Sequence, residues 1–447
     1  MAGKLIACYS SHPQGVALVD ALAKSLNAEP IYWIGGLPDF RHIVEKKFPG
    51  VAYQTQLQSN VAGPPDRLLD ARSHMDEVLQ YSPAYEQMAI SIMDRFLLNI
   101  GIEGHLDKIS HFYYLLDRYS RLLKHVKPLV VYFGEIPHSL GTYILYNLSR
   151  QFGIKTIISA YTCFADRVRY IDRLEQIGHS VGYSPAYAAS DRAEAEAEKL
   201  IQRMQRTNYT TGQPWYMAKK GHRNPFYILS KLDIFYYKWK LERYYKSLTK
   251  STLPIEPFIY LPLHYQPELS TAPMGDIYNS QWLMTRLISE NLPKGWKIVI
   301  KEHPSQVGYT KSNQRFFRSR YFYKTISKLP GVHVLPTSFN SFEILDAARM
   351  VATVTGTVAM EAVLRGKYCI MTGWSPFQQL DGVFHVGDNA ACRQAFEDAL
   401  KGGKPSVEKC RSFLQWLYDQ TLPYRIANDT EGFDVDQHLA LLKKQTE

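Results

Sequence analysis

Apolar and polar positions along this chain switch repeatedly between two periods, and the switches mark an α/β protein. Residues 4–9 read as a short strand, and the turn 10–15 opens a helix with apolar positions at 16, 18, 19, 22, 23 and 26. Residues 30–36 give a second strand and turn, so the chain begins strand–helix–strand, the unit from which parallel sheets are built. Residues 66–127 read as mostly helical and rich in Tyr. A strand at 129–133 ends in Gly134-Glu135-Ile136-Pro137-His138, followed by a helix over 143–152 and a strand at 155–159. Residues 190–205 are strongly helical, and 252–257 look like a linker with two prolines. The pattern then restarts, with strands at 258–263, 296–301, 332–335, 350–354 and 368–372. Helices at 280–291, 314–328, 341–348 and 358–365 separate them, and the tail from 408 to 444 reads as helical.

The expected architecture is therefore two Rossmann-like parallel-sheet domains. The first spans 1–250 and the second 251–405, with 406–447 a helical segment packing back on the first domain. A chain of 447 residues is long enough for two cores, and 45% hydrophobic against 21% charged residues are globular proportions. Five Cys at 8, 163, 369, 392 and 410 show no metal-ligand spacing and suit a reducing cytoplasm. The first residues are too quickly polar for a signal peptide, and no stretch approaches the roughly 18 apolar residues of a spanning helix. A soluble or peripheral protein is expected.

Charge adds a partner to this picture. The net charge of +10 suits an anionic partner, and residues 201–250 concentrate it: eleven Lys/Arg against Asp233 and Glu242, with eleven aromatics interleaved. That density suits a membrane-surface helix on anionic lipid, or a solvated helix whose aromatics pack beneath it. Lys219, Lys220 and Arg223 are candidates for holding the chain near a lipid-linked acceptor.

The chemistry concentrates at two strand ends. His303-Pro304 follows the strand 296–301, and Thr355-Gly356-Thr357 stands between the strand 350–354 and a helix. A helix N-terminus favours an anion, and His303 with Lys301 can add charge or a proton from the neighbouring strand end. Taken as consecutive sheet termini, the two motifs are expected to converge on one negatively charged group.

Several motifs carry a family resemblance: Tyr260-Leu261-Pro262-Leu263-His264-Tyr265-Gln266-Pro267-Glu268, Lys301-Glu302-His303-Pro304, Asn340-Ser341-Phe342-Glu343, 351–357, and Glu361-Ala362 with Arg365-Gly366-Lys367. Over residues 255–390 the chain resembles bacterial capsule and surface-polysaccharide biosynthesis proteins, GT-B transferases related to Kdo transferases. More distantly it resembles bacterial sialyl- and polysialyltransferases with a His-Pro motif. The resemblance implies a GT-B-like fold, two Rossmann-like domains facing a cleft, and a CMP-activated nonulosonate donor. It implies that His303 binds or protonates the departing phosphate and that Thr355, Gly356 and Thr357 cradle it. Glu361 would meet the ribose, with Gln266, Lys301, Glu302 and Pro304 completing the donor site. Arg315, Arg318 and Arg320 can clamp a carboxylate or phosphate.

Two mechanisms stay open. Glu268 stands where related retaining enzymes carry a nucleophilic carboxylate, although with Glu in place of the expected Asp. An inverting enzyme would instead use a base on the acceptor side, for which Glu135 and Asp166 are candidates, with His12 and His138 as acceptor-binding residues. The expected function is a glycosyltransferase of capsule, lipopolysaccharide or O-antigen biosynthesis. It would transfer Kdo or a related sugar from a CMP donor to a growing glycan or lipid-linked acceptor at the cytoplasmic face of the inner membrane. No cofactor, metal or nucleic acid is expected, since His, Lys and helix N–H groups can neutralise one phosphate diester. An NDP-sugar or polyol-phosphate transferase is the alternative within enzymes, and a non-catalytic anionic-polymer-binding protein the alternative outside them.

Overall fold

The computed structural model describes residues 2–36, 39–80, 83–96, 102, 104–179, 182–206, 232–266, 268–307, 317–425 and 428–446. Lys219, Lys220, Arg223, Arg315 and Pro267 lie outside these residues. The chain divides into two compact units, Met1–His179 with Leu417–Glu447, and Ser180–Trp416.

In the first unit, strands β1 (Gly3–Cys8), β2 (Ala28–Ile34), β3 (Ala52–Gln54), β4 (Val130–Phe133), β5 (Lys155–Tyr161) and β6 (Arg167–Ile171) form a sheet that β13 (Leu422–Pro423) completes. The order is β13-β6-β5-β4-β1-β2-β3. Its body is parallel, while β6 runs antiparallel to β5 and β13 antiparallel to β6. Leu5, Ala7, Trp33, Val130 and Tyr132 face one way and bury against Val16, Val19 and Leu22 of the helix Pro13–Ser25. Leu442, from the tail helix Val435–Thr446, joins the same core.

That tail helix is fixed by a buried imidazole. His438 is 0% exposed, its Nδ1 lies 2.7 Å from Tyr170 Oη, and its Nε2 lies 3.1 Å from the Pro423 carbonyl. Burial, only partly offset by the Pro423 contact and Asp434, lowers its pKa from 6.5 to about 4. The unfolded chain therefore takes up this proton first as pH falls. The stability that follows is complete above about pH 6.5 and declines by roughly 1.4 kcal/mol per pH unit towards about 4. Urea midpoints measured between pH 7.5 and 4.5 should fall with acidification, and the slope should be shallower in His438→Gln.

The second unit holds β7 (Phe258–Pro262), β8 (Lys297–Lys301), β9 (Val332–Leu335), β10 (Met350–Thr353), β11 (Tyr368–Met371) and β12 (Val383–His385). They are parallel throughout, in the order β12-β11-β10-β7-β8-β9. One sheet face, with Ile259, Leu261, Ile298, Ile300, Met350, Ala352 and Ile370, packs under Met284, Leu287 and Ile288 of the helix Gln281–Asn291 and Ala395 and Phe396 of the helix Asn389–Lys401. Burial of both faces is why these strands read as unbroken apolar runs rather than as alternation.

The α/β class and two Rossmann-like sheets are as the sequence predicts, with corrections. The division between the units falls at 179/180 and 416/417, not at 250/251 and 405/406. Tyr245 of the helix Leu232–Leu248 packs on Tyr323 and Val334, placing the described part of the basic-aromatic segment in the second unit. The helix Asp191–Gln205 joins that unit too: Gln205 Nε2 donates to the Leu364 carbonyl at 2.9 Å. The first sheet is not wholly parallel, and the periodicity did not reveal the edge strands β3, β12 and β13 or the inner strand β6.

Candidate functional site

Both sheets reverse their winding once, and open α/β sheets place ligands beyond the carboxyl ends of the strands at that reversal. In the second unit it falls between β7 and β10. The residue leaving β7 there is His264. Its Nε2 lies 2.9 Å from Thr353 Oγ1 and 3.4 Å from the Thr355 N–H, while the Gly356 N–H donates to the same Thr353 hydroxyl at 3.0 Å. Only an unprotonated Nε2 can accept from Thr355 N–H, so His264 is neutral here. Burial, reinforced by the charge of Arg318 and by His303, lowers its pKa to about 4.

His303 leaves β8, which lies on the other side of β7. The His303 and Gly356 strand ends are therefore not consecutive. They stand two strands apart, about 10 Å at normal spacing, with His264 arising from the strand between them. This corrects the expectation that His303 and the amides at Gly356 are neighbours. The imidazole in hydrogen-bond contact with the turn is His264, and any group shared with His303 must reach across β7.

The His303 ring is oriented from within its own loop. Its Nδ1 accepts the Ser305 N–H at 3.2 Å, which leaves Nε2 to carry the proton of the neutral ring. Burial lowers its pKa; the Glu302 carboxylate opposes that, and Lys301 and Arg318 add to it. The backbone beneath is clamped by Glu302, which is 0% exposed. One oxygen of its carboxylate takes Arg318 Nε at 2.6 Å and Tyr323 Oη at 2.8 Å, and the other the His303 N–H at 2.8 Å. The Glu302 N–H in turn donates to Tyr245 Oη at 2.9 Å. Arg318 also donates to the His264 carbonyl at 3.0 Å, so one guanidinium braces both histidine loops.

Beside them, Gln306 of the helix Pro304–Val307 accepts the Gln266 N–H at 2.7 Å and donates to its carbonyl at 3.3 Å. The Gln266 side chain is buried, and its Nε2 has no hydrogen-bond partner among the described residues. Lys301 Nζ donates to the Phe339 carbonyl at 3.0 Å, and burial lowers its pKa to about 8. Ser270 Oγ donates to Glu268 Oε2 at 3.2 Å. Thr355 Oγ1 donates to the Ser270 carbonyl at 2.5 Å, tying the β7 loop onto the β10 turn. That loop is pressed close: a Cβ on Gly373 would stand 2.6 Å from Thr355 Cγ2 and 2.7 Å from the Met274 carbonyl oxygen.

The reversal in the first sheet lies between β1 and β4. Tyr9, at φ 59°, ends β1 and stacks on His138 with centroids 5.3 Å apart. His138 Nδ1 lies 2.8 Å from the Ile136 carbonyl and 3.7 Å from Glu135 Oε1. Burial, with the charge of Arg95 adding to it, lowers the His138 pKa to about 3. Burial raises Glu135 to about 7 against the pull of Arg95. His12 caps the helix Pro13–Ser25, with Nε2 3.7 Å from Asp429 Oδ1 and a buried Nδ1 that has no hydrogen-bond partner among the described residues. Its pKa is lowered by burial, partly offset by Asp429.

Residues 187–397 match the family model for capsule polysaccharide biosynthesis proteins. The expected resemblance to capsule polysaccharide biosynthesis proteins therefore holds, and the matched span lies within the second unit and contains every strand of that sheet. Protein FixF of Sinorhizobium fredii (strain NBRC 101917 / NGR234) is 30% identical over 170 residues, which make up 37% of this chain and 38% of FixF. The match thus spans well under half of that relative. Among solved structures, Thermosulfurimonas dismutans KpsC, a β-Kdo 2,4 transferase, is 12% identical at a TM-score of 0.33, covering 70% of this chain and 87% of that one. UDP-GlcNAc 2-epimerase from Methanocaldococcus jannaschii is 13% identical at a TM-score of 0.28, covering 93% and 99%. The fold assignment rests on the strand orders given above.

Within this capsule-family region, several site expectations change. Glu302 was expected to bind donor, but its oxygens are filled by Arg318, Tyr323 and the His303 amide, so it acts as a positioning residue. Arg318 is spent on that carboxylate rather than free to clamp a ligand, and Arg320 lies 4.8 Å over the Tyr244 ring. The Thr355 hydroxyl and the Gly356 amide already have partners inside the protein. Thr357 caps the next helix, Val358–Val363, is exposed, and has no side-chain capping bond. Pro304 is exposed at the start of its helix, and Glu361 is half-buried, its pKa raised by burial against Arg365. In the first unit, Asp166 is ion-paired with Arg425. The residues to which motif reading assigns no role are His264, although it lies in the 260–268 motif, and Gln306, Tyr245 and Tyr323.

Proposed function

We propose that this chain is a glycosyltransferase of bacterial surface-polysaccharide biosynthesis that takes its sugar, Kdo or a related nonulosonate, from a CMP donor. The observation that carries the reading is the edge of the second sheet. There His264, His303, Lys301, Gln266 and Thr357 leave the ends of β7, β8 and β10 inside the capsule-family region. Among the described residues, with Arg318 committed to Glu302, Lys301 remains a strand-end cation able to face an anionic group of the donor. The neutral His303 ring supplies an N–H donor from Nε2 to the departing phosphate oxygen. In the first unit, burial holds the Glu135 carboxyl at about 7, the range of a group that can accept a proton near neutral pH. The acceptor is a growing glycan, lipid-linked at the inner face of the membrane.

Incubation with a panel of CMP-, UDP- and CDP-activated donors tests this directly. CMP release that depends on an acceptor glycan is expected. Turnover of UDP-sugars alone, or release of CDP-linked products, would remove the CMP assignment.

A further inference from the structure

The helix Leu232–Leu248 has two different faces. Leu241 and Tyr245 are buried against Tyr323 and Val334. On the opposite side Tyr236 (56% exposed), Trp239 (47% exposed), Lys240 and Arg243 succeed one another at helical spacings of three, one and three residues, forming one stripe. Tyr236 and Trp239 are near-parallel, 19° apart with centroids at 6.2 Å. Lys240 Nζ lies 4.3 Å from the Tyr236 centroid and Arg243 Cζ 5.0 Å from that of Trp239. Glu242, the carboxylate among this helix's described side chains, is ion-paired with Lys246 at 2.8 Å. Among the described residues the stripe therefore presents positive charge without a paired carboxylate, beside two exposed aromatic rings.

We propose that this stripe lies on the surface of an anionic phospholipid bilayer. Amphipathic rings flanked by Lys and Arg suit the headgroup layer, where ring edges meet the acyl boundary and the cations meet lipid phosphates. The same residue types serve single-stranded nucleic acid, but there the ring faces must be open for bases to stack. Here a cation already sits against each ring, which leaves less of the ring face open to a stacking base. Charge complementarity and these occupied ring faces together favour the lipid surface. The inference stands independently of which sugar is transferred.

The test is co-sedimentation of the full chain with vesicles of mixed phosphatidylglycerol and phosphatidylcholine, beside pure phosphatidylcholine vesicles and a single-stranded RNA oligonucleotide. Binding to the mixed vesicles alone is expected, weakening as salt rises. Each neutralised cation should lower the partition coefficient about five-fold, so Lys240→Gln with Arg243→Gln should lower it about 25-fold. Lys443→Gln with Lys444→Gln, on the exposed side of the tail helix, should leave it unchanged. All variants should keep the parent melting temperature by circular dichroism. Tyr236→Ala with Trp239→Ala, replacing the ring edges, should weaken the residual binding further. Equal binding to neutral vesicles, an equal loss in the tail-helix control, or tighter RNA binding with the same dependence on Lys240 and Arg243 would each overturn the proposal.

Discussion

Arg318→Ala is expected to lower the stability of the second unit by about 3–5 kcal/mol, the cost of leaving one member of a buried ion pair without its partner. The side chains of Arg318 and Glu302 are 3% and 0% exposed, and the guanidinium also supports the His264 carbonyl and lies 4.4 Å over the Phe322 ring. Nothing at the surface can replace it, because water does not reach the Glu302 carboxylate. Chemical denaturation followed by tryptophan fluorescence measures the loss. The double variant Arg318→Met with Glu302→Gln should recover much of it, since no buried charge is then left alone. Tyr323→Phe, which removes one neutral donor to that carboxylate, should cost less, about 1.5–3 kcal/mol. A single Arg318→Ala change within experimental error of the parent would show that the pair is not the brace described.

His303→Ala is expected to lower turnover by about 10²–10³, the usual consequence of removing one preorganised donor to a developing negative charge. Donor affinity should fall less, because the charge on the phosphate grows as the bond breaks. The pH profile carries independent information. Burial and the nearby Lys301 and Arg318 charges hold the His303 pKa below its ordinary 6.5, and the Ser305 N–H fixes the proton on Nε2. The donating ring is therefore the neutral one, the predominant form at pH 7 and above. The His303 contribution should decline only on acidification, while loss of the Lys301 charge through about 8 should lower turnover on the alkaline side. A rate that drops as pH rises through 6 to 7 would mean that the imidazolium was the working form.

Strand positions in the second sheet could be read almost to the residue, because a sheet buried on both faces writes itself as short apolar runs. Strand order could not. The sequence places His303 and Gly356 after successive recognisable motifs, and nothing local records that β7 threads between them. Pairing is decided by long-range packing, so His264 looked like one polar residue in a loop. Edge strands of two or three residues, such as β13 and β12, are too short to show a period. The misplaced boundary has a related cause. The apolar stripe of the helix Asp191–Gln205 declares that one face is buried but not against which sheet, and Pro254 and Pro257 look like a linker although the chain has already crossed over. Glu302 illustrates the limit for side chains. A carboxylate next to a candidate imidazole looks like chemistry, and only its contacts with Arg318 and Tyr323 show that it is scaffold.

The first unit is built from two stretches, Met1–His179 and Leu417–Glu447, with the whole of the second unit between them. During synthesis from the N-terminus, the β6 edge must wait for β13, and the Tyr170 hydroxyl for His438, until more than two hundred further residues have left the ribosome. The intervening unit has all of its strands in hand before that, and can close while its host is still unfinished. A nascent chain stalled near residue 400 would therefore carry a folded insert within an open, aggregation-prone frame.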